Sequence, residues 1–243
     1  MGARTATATE AISTRTGAIA LPLGVILLVA STAIHPAGDV MDNPAIFRQY
    51  ADSDGWIAIH FAQWVAGLVF FGGLVALYYA IKARADSGLA RLGLVSVAVT
   101  AAAMTMLQAV DGVALKWAVD AWASAPVERE APVFAAAESL RWTEYALQSY
   151  SNILLGITLL LFGFAIAFGS AYPRWPGWVA VASGVAWMVH GVMAAYVGLF
   201  PSVPRLVALV LLGSWALIMA FLMWRGSGSE RNAGSVSLAG PAG

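Results

Sequence analysis

Hydrophobic and polar positions divide this chain into six long apolar stretches. These are Gly17–His35, Trp56–Ile81, Leu92–Val110, Tyr145–Tyr172, Trp175–Phe200 and Leu206–Trp224. Each supplies the ~20 predominantly apolar residues that a ~30 Å hydrocarbon layer requires. Backbone amides find no water in lipid, so such stretches must satisfy their hydrogen bonds internally as helices. The third stretch continues through Asp111 to about Trp117. The pattern predicts an all-α polytopic membrane protein, a six-transmembrane-helix bundle over residues 17–225. The Thr/Ala-rich segment 1–16 and the Gly/Ser/Ala-rich segment 226–243 read as disordered cytoplasmic tails. Between spans, Asn43-Pro44 suits the N-cap and first turn of a short helix through Tyr50. Phe134–Arg141 reads as an extension of the fourth helix, after a connection holding Pro126 and Pro132.

Composition agrees with that class. The 243 residues are 60% hydrophobic and 11% charged, with a mean hydropathy of +0.76. A soluble fold could not hide so much apolar surface. The net charge is zero, which gives no footprint for a nucleic-acid partner; the lipid bilayer is the expected one. Cysteine is absent, which excludes disulfides, thiolate metal sites and cysteine nucleophiles.

Basic residues orient the bundle. With the N-terminus inside, Arg4, Arg15, Lys82, Arg84, Arg91, Arg174, Arg225 and Arg231 face the cytoplasm, against Arg48, Lys116, Arg129, Arg141 and Arg205 outside. The excess predicts N-in and C-in placement in a bacterial cytoplasmic membrane.

Polar side chains inside the spans gather toward the predicted outer side. Span two begins with His60 and Gln63, and span three carries Gln108 and Asp111, each pair three residues apart. Span four opens with Glu144, Gln148 and Asn152 at four-residue steps, span one ends at His35, and His190 lies within span five. These spacings put each set on one helix face. A carboxylate at mid-membrane costs ~2.5–3.5 kcal/mol on insertion scales, so Asp111 demands a partner, a water-filled cavity or a function.

Three readings stay open. One is an outer polar pocket for a small polar ligand or cation, bound or passed, with Asp111 as charge partner and Gln108, His60, Gln63, Glu144, Gln148 and His190 around it. A second is a membrane enzyme or redox subunit holding a metal or haem on His35, His60 and His190. A third is a structural or regulatory subunit whose polar groups are inter-helical glue, each bond contributing ~0.6–2 kcal/mol. Lys116 or Arg141 could pair with Asp111. No nucleophile elbow, phosphate loop or paired metal-ligand motif occurs.

The turn Tyr172-Pro173-Arg174-Trp175-Pro176-Gly177-Trp178, preceded by Gly163 and Phe168, resembles one known motif. It is similar to the Pro-Arg-Trp-Leu-x-x-Trp turn of a bacterial domain-of-unknown-function family of six-helix integral membrane proteins. The resemblance implies that architecture across spans two to six, and an acidic residue late in span three, where Asp111 stands. Pro176 takes the place of the usual leucine. That family has no assigned activity, so none follows.

Overall fold

The spans form a closed ring in sequence order. The computed structural model describes residues 8–36, 42–198 and 202–238, with side chains over 14–36, 42–198 and 202–226. The helices are α1 (Ala8–Ala33), α2 (Asn43–Ala51), α3 (Trp56–Arg84), α4 (Gly88–Ala109), α5 (Lys116–Ala123), α6 (Val127–Ala167), α7 (Trp175–Val197) and α8 (Val203–Leu238). A π-helical segment, Val110–Leu115, joins α4 to α5 without a break. Among the described residues, six helices are long and apolar enough to cross a membrane. Each packs on its sequence neighbours, and α8 returns to α1. The enclosed core is apolar: Leu21, Leu74, Leu77, Ile81, Phe162, Ile166, Trp215 and Met219 are almost fully buried.

Small residues set the spacing, as expected where lipid gives helices no hydrophobic reason to associate. On the α6–α7 seam, a Cβ added at Gly156 would lie 2.6 Å from the Gly184 carbonyl, and one at Gly184 2.7 Å from the Gly156 carbonyl. Gly163 and Gly177 repeat this reciprocal arrangement one heptad away, at 2.8 and 2.5 Å. One heptad to the other side of the Gly156–Gly184 pair, Ser149 Oγ donates to the Gly191 carbonyl at 2.8 Å. The backbones touch, and no larger residue fits between them.

Helix ends depart from the sequence reading in four places. The predicted tail 1–16 is helical from Ala8 and the predicted tail 226–243 is helical through Leu238, because extending an existing helix needs no new nucleus. Residues 1–7 and 239–243 lie outside the described residues. The N-cap of α2 is Asp42, whose Oδ1 accepts from Ala45 N at 3.0 Å. Asn43 is one residue inside, and its Nδ2 donates to Glu138 Oε1 at 2.9 Å, tying α2 to α6. Pro44 keeps its first-turn place. The expected connection 118–143 is helical except for a turn, since α5 runs to Ala123 and α6 starts right after the extended Pro126.

That extension matters for the site. The run Gly88–Ala123 has 36 residues and α6 has 41. At ~1.5 Å per residue both exceed a ~30 Å hydrocarbon layer by several turns. Together α5, α2 and the start of α6 build a cap, with a second core of Ile46, Phe47, Tyr50, Trp56, Leu115, Val119, Trp122 and Ala137.

Candidate functional site

Under this cap the α2 end of the bundle holds a cluster of ionisable groups. It is built around the place where the third span widens. An α-helix gives way to π geometry at Val110–Leu115, and such single π turns recur at functional sites. The turn carries Asp111-Gly112. A Cβ added at Gly112 would sit 2.5 Å from the Cβ of His60, so only glycine admits α3 this close. The wider turn also presents the Asp111 carbonyl sideways, where Trp56 Nε1 donates to it at 3.0 Å.

His60 and Asp111 meet across this contact, Nε2 to Oδ2, at 3.1 Å. His60 Nδ1 lies 2.8 Å from the Trp56 carbonyl, which can only accept, so Nδ1 carries a hydrogen. The Nε2···Oδ2 contact then requires a second proton, held on the imidazole or on the carboxyl. The distance suits an ion pair, yet the approach is too oblique for a hydrogen bond. His60 Nε2 and Asp111 Oδ1 are both buried without a hydrogen-bond partner among protein atoms. His60 is 2% exposed and the Asp111 side chain 14%.

A second pair lies beside the first. Arg141 Nη1 donates to Glu144 Oε2 at 2.6 Å, with both side chains 3% exposed. The Arg141 guanidinium also stands over Tyr145 at 4.7 Å and over Tyr50 at 5.4 Å, a cation–π clamp between α6 and α2. Its Nε is a further buried atom without a hydrogen-bond partner. Asp111 is near enough to act electrostatically on Glu144, His35 and Tyr50. The cluster therefore couples two ion pairs rather than one.

His35, just past α1, closes the cluster. Its ring is 5.1 Å from His60 and 4.7 Å from Trp56. Its Nδ1 donates to the Pro36 carbonyl at 2.8 Å. Burial, reinforced by nearby His60, lowers its pKa below the ordinary 6.5, against the opposing pull of that bond and of Asp111. Burial raises the pKa of the Tyr50 hydroxyl, so it stays neutral.

Of the predicted residues, His35, His60, Asp111 and Glu144 come together. Gln108 Nε2 reaches Gln63 Oε1 at 3.4 Å and links α4 to α3 at the edge. Two others do not join. Gln148 donates to Asn152 within its own helix at 3.0 Å. His190 Nδ1 pairs with Ser202 Oγ at 3.1 Å beside Trp187, because its helix face turns to α8. Among the described residues no three His, Asp or Glu side chains are grouped to hold a metal ion, so His35, His60 and His190 form no triad. Asp111 pairs with neither expected cation. Lys116 is taken by Asp120 at 2.6 Å and the Ala51 carbonyl at 3.0 Å, and Arg141 by Glu144. Trp56 and Tyr50 enter as site residues that spacing alone did not mark. The four-residue step from Trp56 to His60 was the available signal. No family model, curated protein or solved structure matches the chain.

Proposed function

We propose that this protein binds a ligand through hydrogen bonds at the His60–Asp111 pair, with Asp111 as the charge partner. The observation that supports this most is that three buried atoms of one cluster, His60 Nε2, Asp111 Oδ1 and Arg141 Nε, lack a hydrogen-bond partner, although His60 Nε2 keeps its ion-pair contact with Asp111 Oδ2. Buried polar groups in native folds are nearly always satisfied, and several orphans in one cluster call for water or a ligand. The α2 end lies on the outer face of a bacterial cytoplasmic membrane in this reading, as the distribution of Lys and Arg favours.

Binding has more support than passage, because below the cluster Leu74, Phe162 and Trp215 fill the core and the hydroxyls of Ser96, Thr100 and Thr158 are bonded to one another. A bound metal cation has less support than a hydrogen-bonding molecule. His60 and Arg141 already oppose the two carboxylates, and among the described residues no group of three metal-ligating side chains forms around them.

Native mass spectrometry of the protein released from its membranes tests this. The expected result is a small-molecule mass retained by the wild type and lost in Asp111→Asn, with both eluting as folded protein. Equal spectra would overturn it. The structural reading rests on the Gln63–Gln108 link across α3 and α4. It predicts that equality, with lower stability in the variant.

A further inference from the structure

One partly buried cation at the α2 end has no counter-charge. Arg205 stands in the first turn of α8, and among the described residues its guanidinium makes no hydrogen bond or ion pair. The other two buried cations of that end are taken, Lys116 by Asp120 and Arg141 by Glu144. Arg205 has no such carboxylate to recruit. From Tyr145 to Ser229 the chain contains no Asp or Glu, so α7 and the apolar part of α8 supply none. The other neighbour of α8 is α1, whose one acid, Glu10, lies at its far end.

The corner is fixed in place by Ser202. Its Oγ accepts from Arg205 N at 3.3 Å and lies 3.1 Å from Nδ1 of the buried His190. Its carbonyl accepts from Leu206 N at 3.1 Å. Arg205 and His190 are near enough to act on each other electrostatically. His190 is neutral or positive and never negative, so the corner always carries at least one positive charge.

Two costs meet at this position. Partial burial of an unpaired charge is unfavourable. A cation in a helix's first turn also opposes the positive end of the helix dipole. Neither cost stabilises the bundle, and both are relieved when an anion sits on the guanidinium. The surroundings narrow that anion. Val203, Leu206 and Val207 beside it are exposed and apolar, at the very end of a helix long enough to span the membrane. An anion reaching such a surface is one carried by a lipid, and the planar guanidinium fork matches phosphate.

We propose that Arg205, at the start of α8, binds the phosphate of an anionic phospholipid in the leaflet at the α2 end. A headgroup that is neutral beyond its phosphate is preferred, because no carboxylate is there to receive an ammonium. This inference does not depend on a ligand at the His60–Asp111 pair.

The test is native mass spectrometry of the full-length protein in detergent. It is titrated in turn with dioleoylphosphatidylglycerol, dioleoylphosphatidylethanolamine, dioleoylglycerol and inorganic phosphate. Basic residues at the other end will also hold phosphatidylglycerol, so the readout is the difference between variants. Arg205→Gln should bind one phosphatidylglycerol fewer than the wild type, or bind that one at least about tenfold more weakly. Arg205→Lys keeps the charge but not the fork and should fall between the two. Arg48→Gln removes an exposed arginine of the same end and should change nothing. The lipid lost in Arg205→Gln should not be replaced by phosphatidylethanolamine or dioleoylglycerol in the wild type at equal concentration. Unchanged binding in Arg205→Gln would overturn the proposal, and so would an equal loss in Arg48→Gln, which would mean diffuse attraction. Equal occupancy of the Arg205-dependent place by dioleoylglycerol would mean that the chains are recognised. Equal occupancy by phosphatidylethanolamine would overturn the choice of an anionic headgroup. Inorganic phosphate retained through Arg205, with no Arg205-dependent lipid, would assign the site to a free ion instead.

Discussion

Two helix seams in this bundle use glycine for the same purpose and reach opposite results. On α6–α7 the glycines face carbonyls in reciprocal pairs, Gly156 with Gly184 and Gly163 with Gly177, and the backbones close with nothing between them. On α3 and the π segment, Gly112 lets the chain approach His60, but the extra residue of the π turn carries Asp111 into the gap. The first seam is dry at its glycine pairs, although Asn152 Nδ2 at its end is buried without a hydrogen-bond partner. The second holds an ion pair whose atoms are not all satisfied. Close approach thus fixes where two helices sit, and the side chain beside the glycine decides whether the contact is a weld or a site.

Breaking the charges should cost most. Arg141→Ala would leave Glu144 buried without its counter-ion, and truncating one partner of a buried pair costs about 3–5 kcal/mol. It would also release the cation–π contacts to Tyr50 and Tyr145 that hold α2 down. Reversible unfolding in mixed micelles should show that loss. A loss below about 1 kcal/mol would mean that water already reaches Glu144.

Breaking the seams sharpens the comparison itself. Gly184→Leu drives a side chain into the Gly156 carbonyl and the backbone of Leu160, neither of which can rotate away. About 3 kcal/mol of destabilisation is expected, the upper end for overpacking. Gly112→Ala meets the His60 Cβ, which moves only with the α3 backbone, but it adds one methyl rather than a branched side chain, so about 1–2 kcal/mol is expected. Thermal unfolding ranks the two. The reverse order would show that the polar seam, not the dry one, is the rigid element.

Why one seam was easier to read than the other has a physical cause. Six spans and the small residues between them are legible because apolar length and side-chain size are properties of single stretches of chain. From sequence Gly67, Gly72, Gly73, Gly156, Gly163, Gly184 and Gly191 read as close-packing sites; Gly72 meets nothing within 4 Å, the other six do pack closely, and the antiparallel register that pairs Gly156 with Gly184 comes only with the fold. His60 and Asp111 could be marked because polar groups are costly in lipid, and the fold brings them to 3.1 Å from each other. The π turn left no pattern, since it differs from α by one hydrogen-bond step. Without it the phase of everything after Val110 is misjudged, and Lys116 and Arg141 look equally suited to Asp111. His190 misled for a related reason. Its depth in the span is right, but its face depends on the α7–α8 packing and turns to Ser202.

The smallest effect expected is on pH dependence, and it isolates His35. This ring belongs to the polar seam but lies past the end of its span, with His60, Asp111 and Arg141 as its charged neighbours. Its folded-state pKa is below the ordinary 6.5, so the unfolded chain takes up a proton first as the pH falls. Stability attributable to His35 is therefore complete above about pH 6.5 and declines below it, toward its lower folded pKa. Partial exposure keeps the slope well under the ~1.4 kcal/mol per pH unit of one fully linked proton. His35→Phe preserves the ring packing on Trp56 and removes the proton site, so the difference between wild type and variant should grow between pH 6.5 and 5. A difference independent of pH would mean that His35 contributes through packing alone, and that the polar seam is closed to protons on its α1 side.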